Sequence, residues 1–246
     1  MITRITDFKC LSGVSSPLLP LVYSSFCYPQ NECDGAFLQT DEKGNVNSLF
    51  SLSGNSVVLI SIVDGDFDEL RSFFSFFKVK YITSQMHIDC FCASFEKHPL
   101  MQVKGNPQCK ADCGSLTSSS SLSEYKSVHT LVGDNENKFE DWFPVFSKKI
   151  NNENGFATYF EADGKMVSTA VAPFICGDCA VIAGVATDVA FRRRGFASLC
   201  VSSLVNTLVS KEKNNIFLWC KESLIPFYEF AGFTLCGNIY IGECKI

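Results

Sequence analysis

Charge is scarce in this sequence and leans negative: 19% of the 246 residues are Asp, Glu, Lys or Arg, and the formal net charge is −5. A protein that grips nucleic acid or an anionic membrane through a broad cationic field has the opposite balance, so neither partner is expected. No apolar run approaches the roughly 20 residues of a membrane-spanning helix. The patch "PLLPLVY" behind Arg4 and Lys9 is short and interrupted by prolines, which argues against a signal peptide. A Walker loop, a dinucleotide-binding glycine fingerprint and a Gly-x-Ser-x-Gly elbow are all missing.

Apolar residues are plentiful instead. They make up 46% of the chain, with 23 phenylalanines, enough for a sizeable core and too many for a mostly disordered protein. The 13 cysteines are odd in number and run from Cys10 to Cys244 without a repeating spacing, unlike the compact frameworks of small secreted domains. Free thiols in a reducing cytoplasm are the simpler expectation. "CGDC", Cys176 to Cys179, has no second Cys-x-x-Cys to complete a zinc site and lies between strands, so it reads as a turn with two free thiols. "HIDCFC", His87 to Cys92, together with Cys109 and Cys113, matches no zinc spacing, and no metal is expected.

One low-complexity tract, "CGSLTSSSSLSEY", interrupts the chain. Read as a linker over 115–124, it divides the protein into an N-terminal domain, 1–114, and a C-terminal domain, 125–246. Downstream, "YKSVHTLV" alternates like a strand. "NKFEDWFPVFSKKI" reads as a helix presenting Phe139, Trp142, Phe143 and Phe146, with a kink or break at Pro144. Ala162-Asp163-Gly164-Lys165 signals a hairpin. "CAVIAGVAT" suits a strand buried on both faces. Val201, Leu204, Val205, Leu208 and Val209 mark one face of a helix, and "NIFLWC" a further buried strand. "SLIPFYEFAGF" predicts a short helix capped by Ser223 and ended by Gly232, with Phe227 and Phe230 as its packing pair. "TLCGNIYIGEC" closes as strand. Upstream, "QTDEKGNVNSLFSLSGNSVVLISIVDGD" repeats the outline of "EADGKMVSTAVAPFICGDCAVIAGVATD", and a helix and strand follow in "DFDELRSFFSFFKVKYI". The expected fold is therefore α/β with a mixed sheet, the first half carrying a unit of the same outline as the second, with a strand near Val57 to Val63.

The most informative stretch is "GVATDVAFRRRGFASLC", Gly184 to Cys200. A buried strand that passes through a short loop into a helix leaves the first backbone N–H groups of that helix without partners, and the helix dipole points the same way. Together they make an anion site. Gly195 allows close approach or a positive φ. Ala197 and Ser198 are small, and Arg192, Arg193 and Arg194 add cationic donors. A solvated charge run would explain the arginines but not their place between strand and helix.

Arg192-x-x-Gly195-x-Ala197, following an apolar strand and opening a helix, resembles the acetyl-CoA loop of the GNAT superfamily of N-acetyltransferases. "GVAT" is similar to the strand that pairs with the pantetheine arm, and "FYEFAGF", Phe227 to Phe233, to the family's Leu-Tyr-x-Lys-x-Gly-Phe helix. The resemblance covers about Tyr125 to Ile246. It implies a GNAT-like domain preceded by a second α/β domain, itself GNAT-like or degenerate. It also implies acetyl-CoA as co-substrate, with the loop over Arg192, Arg193, Arg194, Gly195, Phe196, Ala197 and Ser198 around the pyrophosphate. Backbone groups of Val185, Ala186 and Thr187 would hold the pantetheine, and Tyr228 would act as general acid toward the leaving thiolate. Many members have proline where Val189 stands and asparagine where Lys221 stands.

An alkylammonium acceptor, with its pKa near about 10.4, needs a base, a water chain or a desolvating site before it can attack. Glu222 is the first candidate base, with Glu161 and Asp163 behind it. Each reads first as a solvated surface carboxylate, and the residues by themselves identify no base. The expected function is transfer of an acyl group, acetyl first, to an amine of a small molecule or protein. The alternative is a non-catalytic acyl-CoA-binding or protein-interaction module that keeps the phosphate loop.

Overall fold

The computed structural model describes residues 1–61, 65–87, 89–104, 113–133 and 138–245. The chain divides into two compact units. The first comprises Met1–Leu100, Trp219–Glu222 and Cys236–Ile246; the second comprises Met101–Leu218 and Ser223–Leu235.

The N-terminal stretch supplies β1 (Ile2–Arg4), α1 (Leu19–Cys27), β2 (Gly35–Thr40), β3 (Val46–Ser53), β4 (Ser56–Ser61), α2 (Phe67–Phe76), β5 (Tyr81–Ser84) and β6 (Cys92–Val103). β1 to β4 form an antiparallel meander, and β4 returns through α2 to pair in parallel with β5. Phenylalanines hold this unit together. Phe37 stacks on Phe50 at 5.4 Å, and Phe73 and Phe74 of α2 meet Phe50 edge-on at 5.4 and 5.5 Å. Each buried ring of this kind contributes about 1.5–3 kcal/mol of transfer free energy. α2 starts at Asp66, whose carboxylate accepts from the N–H groups of Asp68 and Glu69, both at 3.0 Å.

The remaining elements are β7 (Gly114–Ser115), α3 (Leu122–Val132), α4 (Phe139–Asn151), β8 (Phe156–Ala162), β9 (Lys165–Cys176), β10 (Cys179–Thr187), α5 (Phe196–Ser210), β11 (Asn215–Trp219), α6 (Ile225–Phe230) and β12 (Phe233–Cys244). β7, β8, β9 and β10 pair antiparallel in sequence order, and β10 returns through α5 to pair in parallel with β11. Val201, Leu204, Val205 and Leu208 of α5 are buried, and α5 packs on β8, β9 and β10. Late in the chain, β12 pairs antiparallel with β5, Tyr240 opposite Ser84 and Glu243 opposite Tyr81.

The order β2-β3-β4-α2-β5 thus recurs as β8-β9-β10-α5-β11, with the parallel pair spanning the helix in both cases. The strand expected over 57–63 is β4; residues 62–64 lie outside the described residues.

Two sequence expectations are corrected. "YKSVHTLV" belongs to helix α3, not to a strand. Ser121 and Glu124 form a reciprocal capping box, with Glu124 N–H donating to Ser121 Oγ at 3.3 Å and Ser121 N–H donating to Glu124 Oε2 at 2.7 Å. Tyr125 and Val128 are the buried positions one turn apart, and Gly133 closes the helix at φ 68°. A box of this kind is worth about 0.5–2 kcal/mol and outweighs a weak alternation. The segment 115–124, expected as a linker, carries part of β7, a Thr117–Ser120 turn and the start of α3. The helix expected over Phe139, Trp142, Phe143 and Phe146 is α4, which runs through Pro144 without a break.

Candidate functional site

β10 is buried from Cys179 to Ile182 and half-buried from Ala183 to Thr187. Its pairing with β11 runs from Cys179–Asn215 to Val181–Phe217. Beyond Val181, among the described residues, the strand keeps only β9 as a partner. The register on that side also shifts: Ala183 to Ala186 on β10 lies opposite Val171 to Thr169 on β9, a bulge of one residue. Gly184 takes φ +78° at the bulge, where an added Cβ would lie 3.2 Å from both Val132 methyl groups. One edge of 182–187 is therefore left for something other than a strand.

Asp188 ends β10 and caps the short 3-10 turn Val189–Phe191 by accepting from Ala190 N–H at 3.0 Å. Its other oxygen receives Lys165 Nζ at 2.8 Å, and these donors, Lys165 foremost, hold the Asp188 carboxyl below the usual carboxylate range. Arg192 Nε donates to Thr187 O at 3.2 Å, and the Arg194 guanidinium lies 5.2 Å over the Phe191 ring. Arg193 adopts φ +63° and Gly195 φ +84°, where an added Cβ would meet open space. α5 begins directly behind Gly195 with no side-chain cap. Its first internal bond from this turn is Leu199 N–H to Gly195 O at 3.1 Å. The N–H groups of Phe196, Ala197 and Ser198 have no acceptor among the described residues. Phe196 itself is anchored by stacking on Phe160 at 4.6 Å.

The first unit closes the same position. There the aspartate after β4 sits directly on α2 and caps it with its own carboxylate, and Asp68 and Glu69 put further negative charge in the first turn. In the second unit, Asp188 is spent on the 3-10 turn ahead of the loop. The helix that follows is left open behind three arginines.

Tyr228 is the buried residue of α6, 7% exposed, and meets Phe227 and Phe233 edge-on at 4.8 and 5.8 Å. Phe230 is 86% exposed. The expected Phe227–Phe230 packing pair is thus corrected: on a helix this short, the tyrosine takes the inward position. α6 starts at Ile225 after a 3-10 turn, Glu222–Leu224, with Leu224 rather than Ser223 at its N-cap. Glu222 is exposed in that turn, and Glu161 and Asp163 lie at the exposed end of the β8–β9 hairpin. Cys176 and Cys179 face each other across the Gly177–Asp178 turn with no disulfide between them. Cys109 lies outside the described residues. Sequence reasoning missed Asp188, Lys165 and Ser168. An aspartate placed between an apolar strand and an arginine loop is an N-cap signal that could have pointed to the first.

The acetyltransferase (GNAT) family model matches residues 121–233. Among curated proteins, none matches the sequence. Solved structures share the fold. A GCN5-related N-acetyltransferase from Kribbella flavida is 15% identical, with TM-score 0.62 over 81% of this chain and 87% of its own. An acetyltransferase from the GNAT family of Colwellia psychrerythraea is 12% identical, with TM-score 0.57 over 100% of both chains. A tandem GNAT protein from the clavulanic acid biosynthesis pathway is 8% identical, with TM-score 0.59 over 99% of this chain and 98% of its own. With the splayed β10, the glycine-led α5 and the matched segment in agreement, residues 121–233 form a domain of the GNAT acetyltransferase family.

Proposed function

We propose that the protein is an acyl-CoA-dependent N-acyltransferase that moves an acetyl group from acetyl-CoA to a primary amine within a ternary complex. One observation carries the reading. An uncapped helix N-terminus behind Gly195 and a strand edge over 182–187 with no partner among the described residues occur in the same unit, joined by a single short loop. The first suits a pyrophosphate, the second an extended amide-bearing arm.

In this reading, N–H groups from Arg193 to Ser198 hold the pyrophosphate, with Arg192, Arg193 and Arg194 around it. Backbone groups of Val185, Ala186 and Thr187 orient the pantetheine. Acetyl-CoA supplies the activated acyl group. Tyr228 gives its phenolic proton to the departing sulfur, and Glu222, exposed and ahead of α6, is the first candidate to take the proton from the amine. The described cysteines form no disulfide with one another, which fits the proposal that the protein works in the cytoplasm.

The test is release of CoA from acetyl-CoA across a panel of small-molecule and peptide amines. Turnover with at least one amine is expected. Acetyl-CoA binding without turnover on any amine would favour a binding module, and no binding at all would remove the phosphate-loop reading.

A further inference from the structure

Phe160 on β8, Ser168 on β9 and Thr187 on β10 stand in one cross-strand row, Phe160 opposite Ser168 and Ser168 opposite Thr187. The first two turns of α5 cover this row. Phe196 stacks on Phe160, and α5 packs on both β8 and β9. Ser168 is 0% exposed. Its Oγ donates to Ala186 O at 3.0 Å and lies 2.8 Å from Thr187 Oγ1. A carbonyl can only accept and a serine has one hydroxyl proton, so Thr187 is the donor in the second bond. On the far side, Thr158 Oγ1 donates to Cys200 O at 2.8 Å.

These contacts join the two pieces of the proposed acetyl-CoA cradle. Beyond Val181, β10 has lost β11 and runs through a bulge, so the backbone ladder alone leaves its end weakly held. Ser168 ties that end, through Ala186 and Thr187, to the β8–β9 surface on which α5 packs, and the N-terminus of α5 is the phosphate loop. We infer that Ser168 is a positioning residue, which sets the strand end against the helix so that both can engage one CoA molecule. The inference rests on the acyltransferase reading above. Ser168 touches no substrate; it acts through the backbone of Ala186 and Thr187.

Calorimetric titration of the full chain tests this with two ligands. One is acetyl-CoA. The other is 3′-phosphoadenosine 5′-diphosphate, which keeps the pyrophosphate and lacks the pantetheine. Ser168→Ala is expected to weaken acetyl-CoA roughly tenfold, about what one buried hydrogen bond carries, and to leave the nucleotide unchanged. Thr187→Val breaks the same relay from its half-exposed end and is expected to split the two ligands in the same way, so a poorly folded Ser168→Ala does not end the test. Equal weakening of both ligands would reveal a merely structural serine and overturn the inference, as would no change in either. If the wild type binds neither ligand, the acyltransferase reading itself fails.

Discussion

Tyr228 illustrates how one side chain's environment defines what a substitution can report. Its ring is buried between Phe227 and Phe233, so its apolar packing survives replacement by phenylalanine. A phenol that served only the core would lose about 1 kcal/mol with its oxygen. A phenol that protonates a leaving thiolate acts in the transition state, where general acids contribute about 10²–10⁴-fold. Tyr228→Phe is therefore expected to leave acetyl-CoA affinity and Tm nearly unchanged while kcat falls by about 10²-fold or more, measured with any amine the wild type accepts. Full activity in the variant would return Tyr228 to the core. The sequence singled out this residue by its resemblance to a family motif but misjudged its orientation. Phe227 and Phe230 look like a helical pair on paper. Six residues of helix make too little surface to bury both, and the tyrosine, next to Phe233, takes the inward place.

At the scale of elements, the open end of α5 is a matter of which residue sits at the N-cap. Asp66 plugs α2 with its own carboxylate; Gly195 leaves α5 unplugged. Gly195→Glu is expected to abolish protection of the protein against heat by acetyl-CoA, for two reasons. The backbone there has φ +84°, which disfavours any side chain by about 1 kcal/mol. The new carboxylate would also compete, from the same end of the helix, with the phosphates for the free N–H groups. The measurement is the ligand-induced shift in Tm, which grows with ligand concentration by mass action in the wild type; equal shifts in the variant would reject the phosphate loop. The glycine, the arginines and the apolar face of α5 were legible in the sequence because each follows a local rule. α3 was not. Its capping box, Ser121 to Glu124, lies inside a serine-rich tract whose composition pointed to a linker, and the local hydrogen bonds outweighed the composition. The hydroxyl relay at Ser168 was illegible as well, since it joins residues far apart in the chain on two different strands.

For the whole molecule, the recurrence of one strand–helix–strand order with two different helix caps makes a stoichiometric prediction. Titration of the full chain with acetyl-CoA is expected to give one bound molecule per chain, held by the second unit, because Asp66, Asp68 and Glu69 place carboxylates where a pyrophosphate would sit in the first. Two bound molecules would contradict this. The repeated outline was visible in the sequence as an echo of turn and strand residues. The division of the chain was not, because composition is blind to which strands pair, and the first unit takes its closing residues from 219–222 and 236–246.

That borrowed strand has a consequence for how the protein is made. β5 emerges from the ribosome early, at Tyr81–Ser84, yet the residues that pair with it, Tyr240 to Glu243, are synthesised some 150 positions later. Until then the first unit is translated with one strand edge bare, and edges of this kind recruit other chains. Its final closure is therefore a late event in synthesis, and a nascent chain stalled before residue 240 has not yet completed the sheet of its oldest half.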